Sequence, residues 1–198
     1  TISITRNDRL QEALANAVDL TLRTYRARHA NDQDNDQLRA GAFAVEFTGD
    51  VLAEVGNIDF RQVKYDVIAN GWRQPGSTFK IFTYGALVEH LTKAVVGAAS
   101  SPQTVEEIAS EVLRRCNVLD APIHVSLGRG RGFKQIENFH SRTEPQYRGD
   151  ISCRIALGES RNTAAMRAGA QAGIKNVIDL AHRVGLPKDE RHLLQPYP

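Results

Sequence analysis

Ser77 and Lys80 stand three residues apart in Pro75-Gly76-Ser77-Thr78-Phe79-Lys80, at the opening of an apolar segment that runs to about His90. Residues at this spacing in the first turn of a helix share a face, so the amine can reach the hydroxyl. A serine hydroxyl is a poor nucleophile at its ordinary pKa and needs a neighbouring base. Lysine serves once burial brings its pKa down toward ~7–8. A helix start adds unpaired N–H groups and the positive end of a dipole, both suited to a developing oxyanion. The chemistry assembled is acyl transfer through a serine ester. Standing alone, Ser-x-x-Lys is also what a capping serine and an exposed lysine leave in an ordinary helix.

The elements around this pair read as α with a little β, the β lying early. A short strand at Thr1–Thr5 and a turn at Asn7-Asp8 lead into a helix over 9–28, where Leu10, Leu14, Val18 and Leu22 recur every four residues. The polar run 31–37 is a loop. Ala42–Phe47 and Val51–Val55 flank Thr48-Gly49-Asp50 as a hairpin, apolar at nearly every position, as strands covered on both faces would be. After a loop-like 57–74 comes the nucleophile helix, Thr78 to about His90. A helix over 102–116 is expected to start on Ser101-Pro102. Gly128–Gly149 reads as an irregular connection, followed by helices over 150–158 (capped by Asp150), 163–172 and 176–184. Ser160-Arg161-Asn162, taken by itself, is a helix cap before Thr163-Ala164-Ala165.

The chain's 198 residues suffice for one cored domain or two small ones. A net charge of +2 is too weak to argue for nucleic acid, no Lys/Arg run supports that idea, and no nucleic-acid partner is expected. No stretch reaches the ~20 apolar residues that span a bilayer, and the first residues do not resemble a signal peptide. An export signal or anchor is expected to have been removed or to lie upstream. Cys116 and Cys153 have neither metal nor redox spacing; two buried free thiols are expected, with a disulfide as the alternative. His90, His124 and His140 are too scattered for a metal site, and no cofactor is implied. Trp72 and Tyr84 suit either a cleft wall or the core.

Arg73-Gln74-Pro75-Gly76-Ser77-Thr78-Phe79-Lys80-Ile81-Phe82-Thr83-Tyr84 resembles the nucleophile segment of class A penicillin-binding proteins. Thr48–Gly56 is similar to that family's preceding hairpin, and Arg9-Leu10-Gln11-Glu12-Ala13 to its opening helix. Ala156-Leu157-Gly158-Glu159-Ser160-Arg161-Asn162-Thr163-Ala164-Ala165 resembles its Ser-x-Asn segment, and Val177–Ala181 with Val184-Gly185-Leu186 the helix beyond. The matches follow the family's order over most of the chain.

The resemblance implies an α+β penicillin-binding transpeptidase fold, similar to serine β-lactamases, with an antiparallel sheet and a helical lobe. Residues 1–198 would be part of that domain, 1–38 a lead-in and 39–198 the nucleophile hairpin, helix and lobe. It implies a serine D,D-transpeptidase that cross-links peptidoglycan stems ending in D-Ala-D-Ala outside the cytoplasmic membrane and is acylated by β-lactams. Ser77 would be the nucleophile, Lys80 its base, Ser160 a proton relay and Asn162 a substrate-binding residue. A D,D-carboxypeptidase, a β-lactamase and a non-catalytic penicillin-binding sensor or scaffold share these motifs and stay open.

Two departures stand out. The family's Lys-Thr-Gly triplet is absent, and truncation at Pro198 before its strand is the expectation; self-association through an unpaired sheet edge would follow. Leu91 to about Asn117 reads as an insertion. Glu190-x-x-Leu193-Leu194 faintly resembles the deacylating segment of β-lactamases and reads as chance.

Overall fold

The computed structural model describes residues 4–31, 38–58, 64–71, 74–128, 130–139 and 145–186. Contacts divide the chain into two compact units, Thr1–Arg73 and Gln74–Pro198.

In the first unit, α1 (Asp8–Arg28) starts on Asn7, whose side chain accepts from the Leu10 N–H. Asp8 at its first turn and Arg26 and Arg28 at its last complement the helix dipole. Its buried residues, Val18 and Leu22, are four apart, as the periodicity predicts. Strands β1 (Ala42–Val45) and β2 (Val51–Val55) form an antiparallel hairpin with Ala42 opposite Val55 and Ala44 opposite Ala53. The outer edge of β2 is closed without a third strand. Gln11 does this with one carboxamide, which donates to the Glu54 carbonyl at 2.8 Å and accepts the Glu54 N–H at 3.0 Å. Asn7 N–H and the Thr5 hydroxyl take the Leu52 and Val51 carbonyls.

Burial corrects the hairpin reading. Ala53 and Val55 are buried, but Phe43 is 59% exposed and Val45 and Val51 are open too. Apolar residues on both faces therefore do not mean two covered faces here.

The second unit opens with a 3-10 turn, Gly76–Phe79, that feeds α2 (Lys80–Ala98). That helix continues through Leu91, where the sequence suggests a boundary. α3 (Val105–Arg115) follows, closed by a capping box between Thr104 and Glu107. Its start is thus Thr104, and not Ser101-Pro102.

Strands β3 (Asn117–Asp120), β4 (Ile123–Ser126), β5 (Phe133–Ile136) and β6 (Gly149–Ser152) come next, then α4 (Cys153–Gly158), α5 (Asn162–Ala172) and α6 (Ile174–Arg183). β3 pairs antiparallel with β6, and β4 with β5. The β content is therefore not confined to the early chain. Asp150 lies in β6, and Ser152 caps α4 by accepting from the Ile155 N–H.

The core of this unit lies along α2. Leu87, Leu91 and Val95 are buried with Val112, Val118, Ile151 and a small-residue face of α5, Ala164 and Ala168. Fully burying a side chain such as Leu87 contributes about 1.5–3 kcal/mol. Gly85 admits α6 closely: a Cβ there would sit 2.9 Å from Leu180 Cδ2. Tyr84 belongs to this core, with its phenol pushed up to about 12 by burial and by the Asp120 charge.

Cys116 and Cys153 form a disulfide, with Cα atoms 5.4 Å apart, which corrects the reading of two free thiols. The cause is strand register. Asn117 faces Ser152, so the residue before one and the residue after the other are the next opposed pair. The Cys153 N–H accordingly donates to the Cys116 carbonyl.

The expected strand at Thr1–Thr5 falls partly outside the described residues, and Ile4–Arg6 form no strand. Residues 32–37, Trp72, His140 and the Glu190 segment also lie outside them. No helix among the described residues is long and apolar enough to cross a membrane.

Candidate active site

Gly76, at φ +51°, turns the chain into the 3-10 segment, a backbone conformation that an L side chain adopts only with strain. In a 3-10 turn residues i and i+3 eclipse one another, more closely than in an α-helix. Ser77 and Lys80 are such a pair, and Lys80 Nζ lies 3.1 Å from Ser77 Oγ. Ser77 is exposed while Lys80 is 8% exposed, so the hydroxyl faces solvent above a buried amine.

Three further oxygens close around that amine: the Ser160 carbonyl at 2.6 Å, Ser160 Oγ at 2.9 Å and Asn162 Oδ1 at 2.6 Å. The four residues singled out in the sequence thus meet at one nitrogen. Burial lowers the Lys80 pKa. Once it gives up a proton, such an amine keeps two N–H donors and gains one lone pair. The Ser160 carbonyl and the Asn162 carboxamide oxygen can only accept, so they take both N–H groups. The lone pair is left for a hydroxyl proton, from Ser77 or from Ser160.

Local structure explains how Ser160 presents two oxygens to one nitrogen. α4 ends in a Schellman motif, with Ser160 N–H bonded to the Leu157 carbonyl and Arg161 N–H to the Ala156 carbonyl. The motif puts a left-handed residue at its turn, a place usually taken by glycine. Here it is Ser160, at φ +54°, alone among the described non-glycine residues in having positive φ. The reversal brings its carbonyl and hydroxyl to the same side.

Asn162 is oriented from the other side. Its Nδ2 donates to the Glu137 carbonyl at 2.7 Å, which fixes Oδ1 toward Lys80. The start of α5 has no side-chain cap from its own N-cap residue, Arg161. Instead Asn138 Oδ1, from just beyond β5, accepts the Asn162 and Thr163 N–H groups at 2.7 and 3.2 Å.

Sequence reasoning passed over the polar cluster beneath. Asp120, Asn138, Arg161 and Thr163 are all buried. Arg161 donates to Asp120 Oδ2 through Nε at 2.7 Å, and the ion pair is completed by Nη2 at 2.7 Å from the same oxygen. Asp120 also accepts from the Thr163 hydroxyl, Asn138 Nδ2 and the Arg148 N–H. Burial pushes the Asp120 carboxyl up, and these hydrogen bonds together outweigh it, so its pKa is lowered. The one available sequence signal was an arginine inside Ser-x-Asn. Its buried partner sits on a strand too short to declare itself.

No family model matches the chain. It is 30% identical over 144 residues to penicillin-binding protein 1A of Rickettsia conorii, an alignment covering 73% of this chain and 15% of that protein. It is 29% identical over 143 residues to penicillin-binding protein 1A of Neisseria cinerea, covering 72% of this chain and 15% of that protein. The chain therefore spans about 15% of the length of the curated relatives it matches.

Among solved structures, penicillin-binding protein 1A of Haemophilus influenzae aligns with TM-score 0.53 at 26% identity, over 72% of this chain and 18% of that one. The penicillin-binding protein PonA1 of Mycobacterium tuberculosis aligns with TM-score 0.60 at 23% identity, over 93% of this chain and 38% of that one. The expected α+β fold, with antiparallel sheets and a helical lobe, is the fold of these neighbours. Over the aligned residues this chain is homologous to penicillin-binding proteins 1A.

Proposed function

We propose that this chain carries the nucleophile side of a serine D,D-transpeptidase that cross-links peptidoglycan stems. The observation that carries the reading is one buried amine within 3.1 Å of Ser77 Oγ, Ser160 Oγ and Asn162 Oδ1. Ser77 Oγ attacks the carbonyl carbon of the penultimate D-Ala as Lys80 takes its proton. The C–N bond breaks, and the proton passes through Ser160 to the leaving D-Ala amine. An amine of a neighbouring stem then attacks the Ser77 ester carbonyl, the acyl C–O bond breaks, and the amine's proton returns through Lys80 to Ser77 Oγ as the cross-linked peptide leaves. Asn162 is placed to hold the substrate's amide with the part of its carboxamide not engaged by Lys80 and Glu137.

Location outside the cytoplasmic membrane agrees with the Cys116–Cys153 disulfide, since such bonds persist in oxidising compartments. A β-lactam is a strained relative of the same amide, so a labelled penicillin added to the full-length protein should become attached to Ser77. Peptide mapping by mass spectrometry reads the site. Ser77→Ala should abolish labelling and leave the melting temperature nearly unchanged. Label on another residue, or equal labelling of the alanine variant, rejects this assignment.

A further inference from the structure

Asn162 is bracketed by groups that converge on a single carboxylate. The residue before it, Arg161, and the residue after it, Thr163, both donate to Asp120. So does Asn138, the side chain that accepts the Asn162 N–H. Arg161 is also the residue next to Ser160, and its guanidinium reaches the Gln146 carbonyl at 2.8 Å. Asp120 makes no contact with Lys80 among those the structure shows; it acts on the residues that surround the amine.

We infer that Asp120 is a positioning residue for this site: its buried carboxylate holds Arg161, Thr163 and Asn138, and through them keeps the Ser160 and Asn162 carbonyl oxygens on Lys80 Nζ. This rests on the acyl-transfer reading only for its effect on rate. Its geometric content concerns Lys80 itself. Four groups face the carboxylate, and only one, Arg161, carries a neutralising charge; Thr163, Asn138 and the Arg148 N–H are neutral donors. Asp120→Asn would turn an amide N–H₂ toward at least one of these donors and loosen the ring. The Ser160 turn, held in a left-handed conformation, would then relax, and water would reach the amine. A better-hydrated amine keeps its proton to higher pH.

The test uses the full-length protein with two changes, Asp120→Asn and the double variant Asp120→Leu/Arg161→Met. The double variant removes both buried charges together, which costs less than stranding one of them, while Asp120→Asn keeps an oxygen for the neutral donors. Two readouts are taken beside thermal melting. One is the titration midpoint of Lys80, followed by NMR of isotope-labelled lysine. The other is the rate of penicillin acylation against pH. A positioning role requires that each variant still folded at the assay temperature shows a raised Lys80 midpoint. Acylation at neutral pH should fall by ~10²-fold, the scale of a ~1 Å misplacement. Either variant, folded, with an unchanged Lys80 midpoint and a rate within about twofold of wild type would overturn the inference and leave Asp120 a stability element. Failure of wild-type protein to label at Ser77 would instead reject the acyl-transfer reading. The NMR midpoint still decides the role of Asp120 in that case.

Discussion

The carboxamide oxygen of Asn162 faces Lys80 Nζ at 2.6 Å because the other end of the same carboxamide is spent on the Glu137 carbonyl. A group that can only accept is thereby aimed at the buried amine. The Ser160 carbonyl approaches the same nitrogen, also at 2.6 Å.

Lys80 should govern the pH dependence. Its pKa lies below the ordinary 10.5 because of burial, so the neutral amine appears earlier as pH rises. Acylation by a fluorogenic β-lactam, followed by stopped flow, should therefore increase with pH through the lowered value and then level. Between that value and 10.5 the unfolded chain binds more protons at this lysine, so its contribution to stability also rises with pH. Lys80→Arg keeps a charge that is not lost near neutrality and should slow acylation by orders of magnitude. A wild-type rate in that variant would place the base elsewhere.

Asn162→Asp replaces a neutral acceptor with a carboxylate beside the amine and removes the donor to Glu137. An opposite charge at this range raises a lysine pKa, by the ~1–3 units typical of close pairs. The acylation profile should move to higher pH by that amount, with a loss of at least about tenfold at neutral pH. An unshifted midpoint would mean that the Asn162 oxygen does not sense the Lys80 proton.

The site was legible where chemistry and helical spacing coincide. Ser77 and Lys80 declare themselves by type, and the apolar residues of α2 continue the helix that carries them. The later strands were not legible, since β3, β4, β5 and β6 are four residues each and too short for alternation to register. Missing β3 hid Asp120, and missing the β3–β6 pairing hid the opposition of Cys116 and Cys153. Ser160 was recognised as part of a motif, but its place in a Schellman turn depends on α4 starting at Cys153. The reading of a helix from Asp150 obscured that start.

The disulfide closes a sequence separation of 37 residues. By the chain-entropy relation such a link contributes about 4 kcal/mol. Urea unfolding with and without reductant should show a loss of that order, and Cys116→Ala/Cys153→Ala should match the reduced protein. Equal midpoints in both conditions would mean the bond restrains little. Penicillin labelling of the reduced, still folded protein should be slower, because the bond ties the residue before β3 to the start of α4.

Phe43, Val45 and Val51 are exposed on the hairpin of the first unit. The 198-residue chain by itself is expected to associate as its concentration rises, since open apolar strands recruit partners. Phe43→Lys should reduce the mass seen by light scattering. A monodisperse monomer at high concentration would show that this face is tolerated in water.

The left-handed backbone at Ser160 narrows what evolution can place there. Threonine offers the same hydroxyl, but a β-branched side chain is a poor occupant of positive φ. Glycine fits the turn without strain and keeps the carbonyl oxygen, yet has no hydroxyl to place 2.9 Å from Lys80 Nζ. Serine at this position thus sets a hydroxyl beside Lys80 Nζ on a backbone that favours no side chain. A library of substitutions at residue 160 should accordingly separate: glycine variants should keep the fold and lose turnover, and threonine variants should weaken the fold itself.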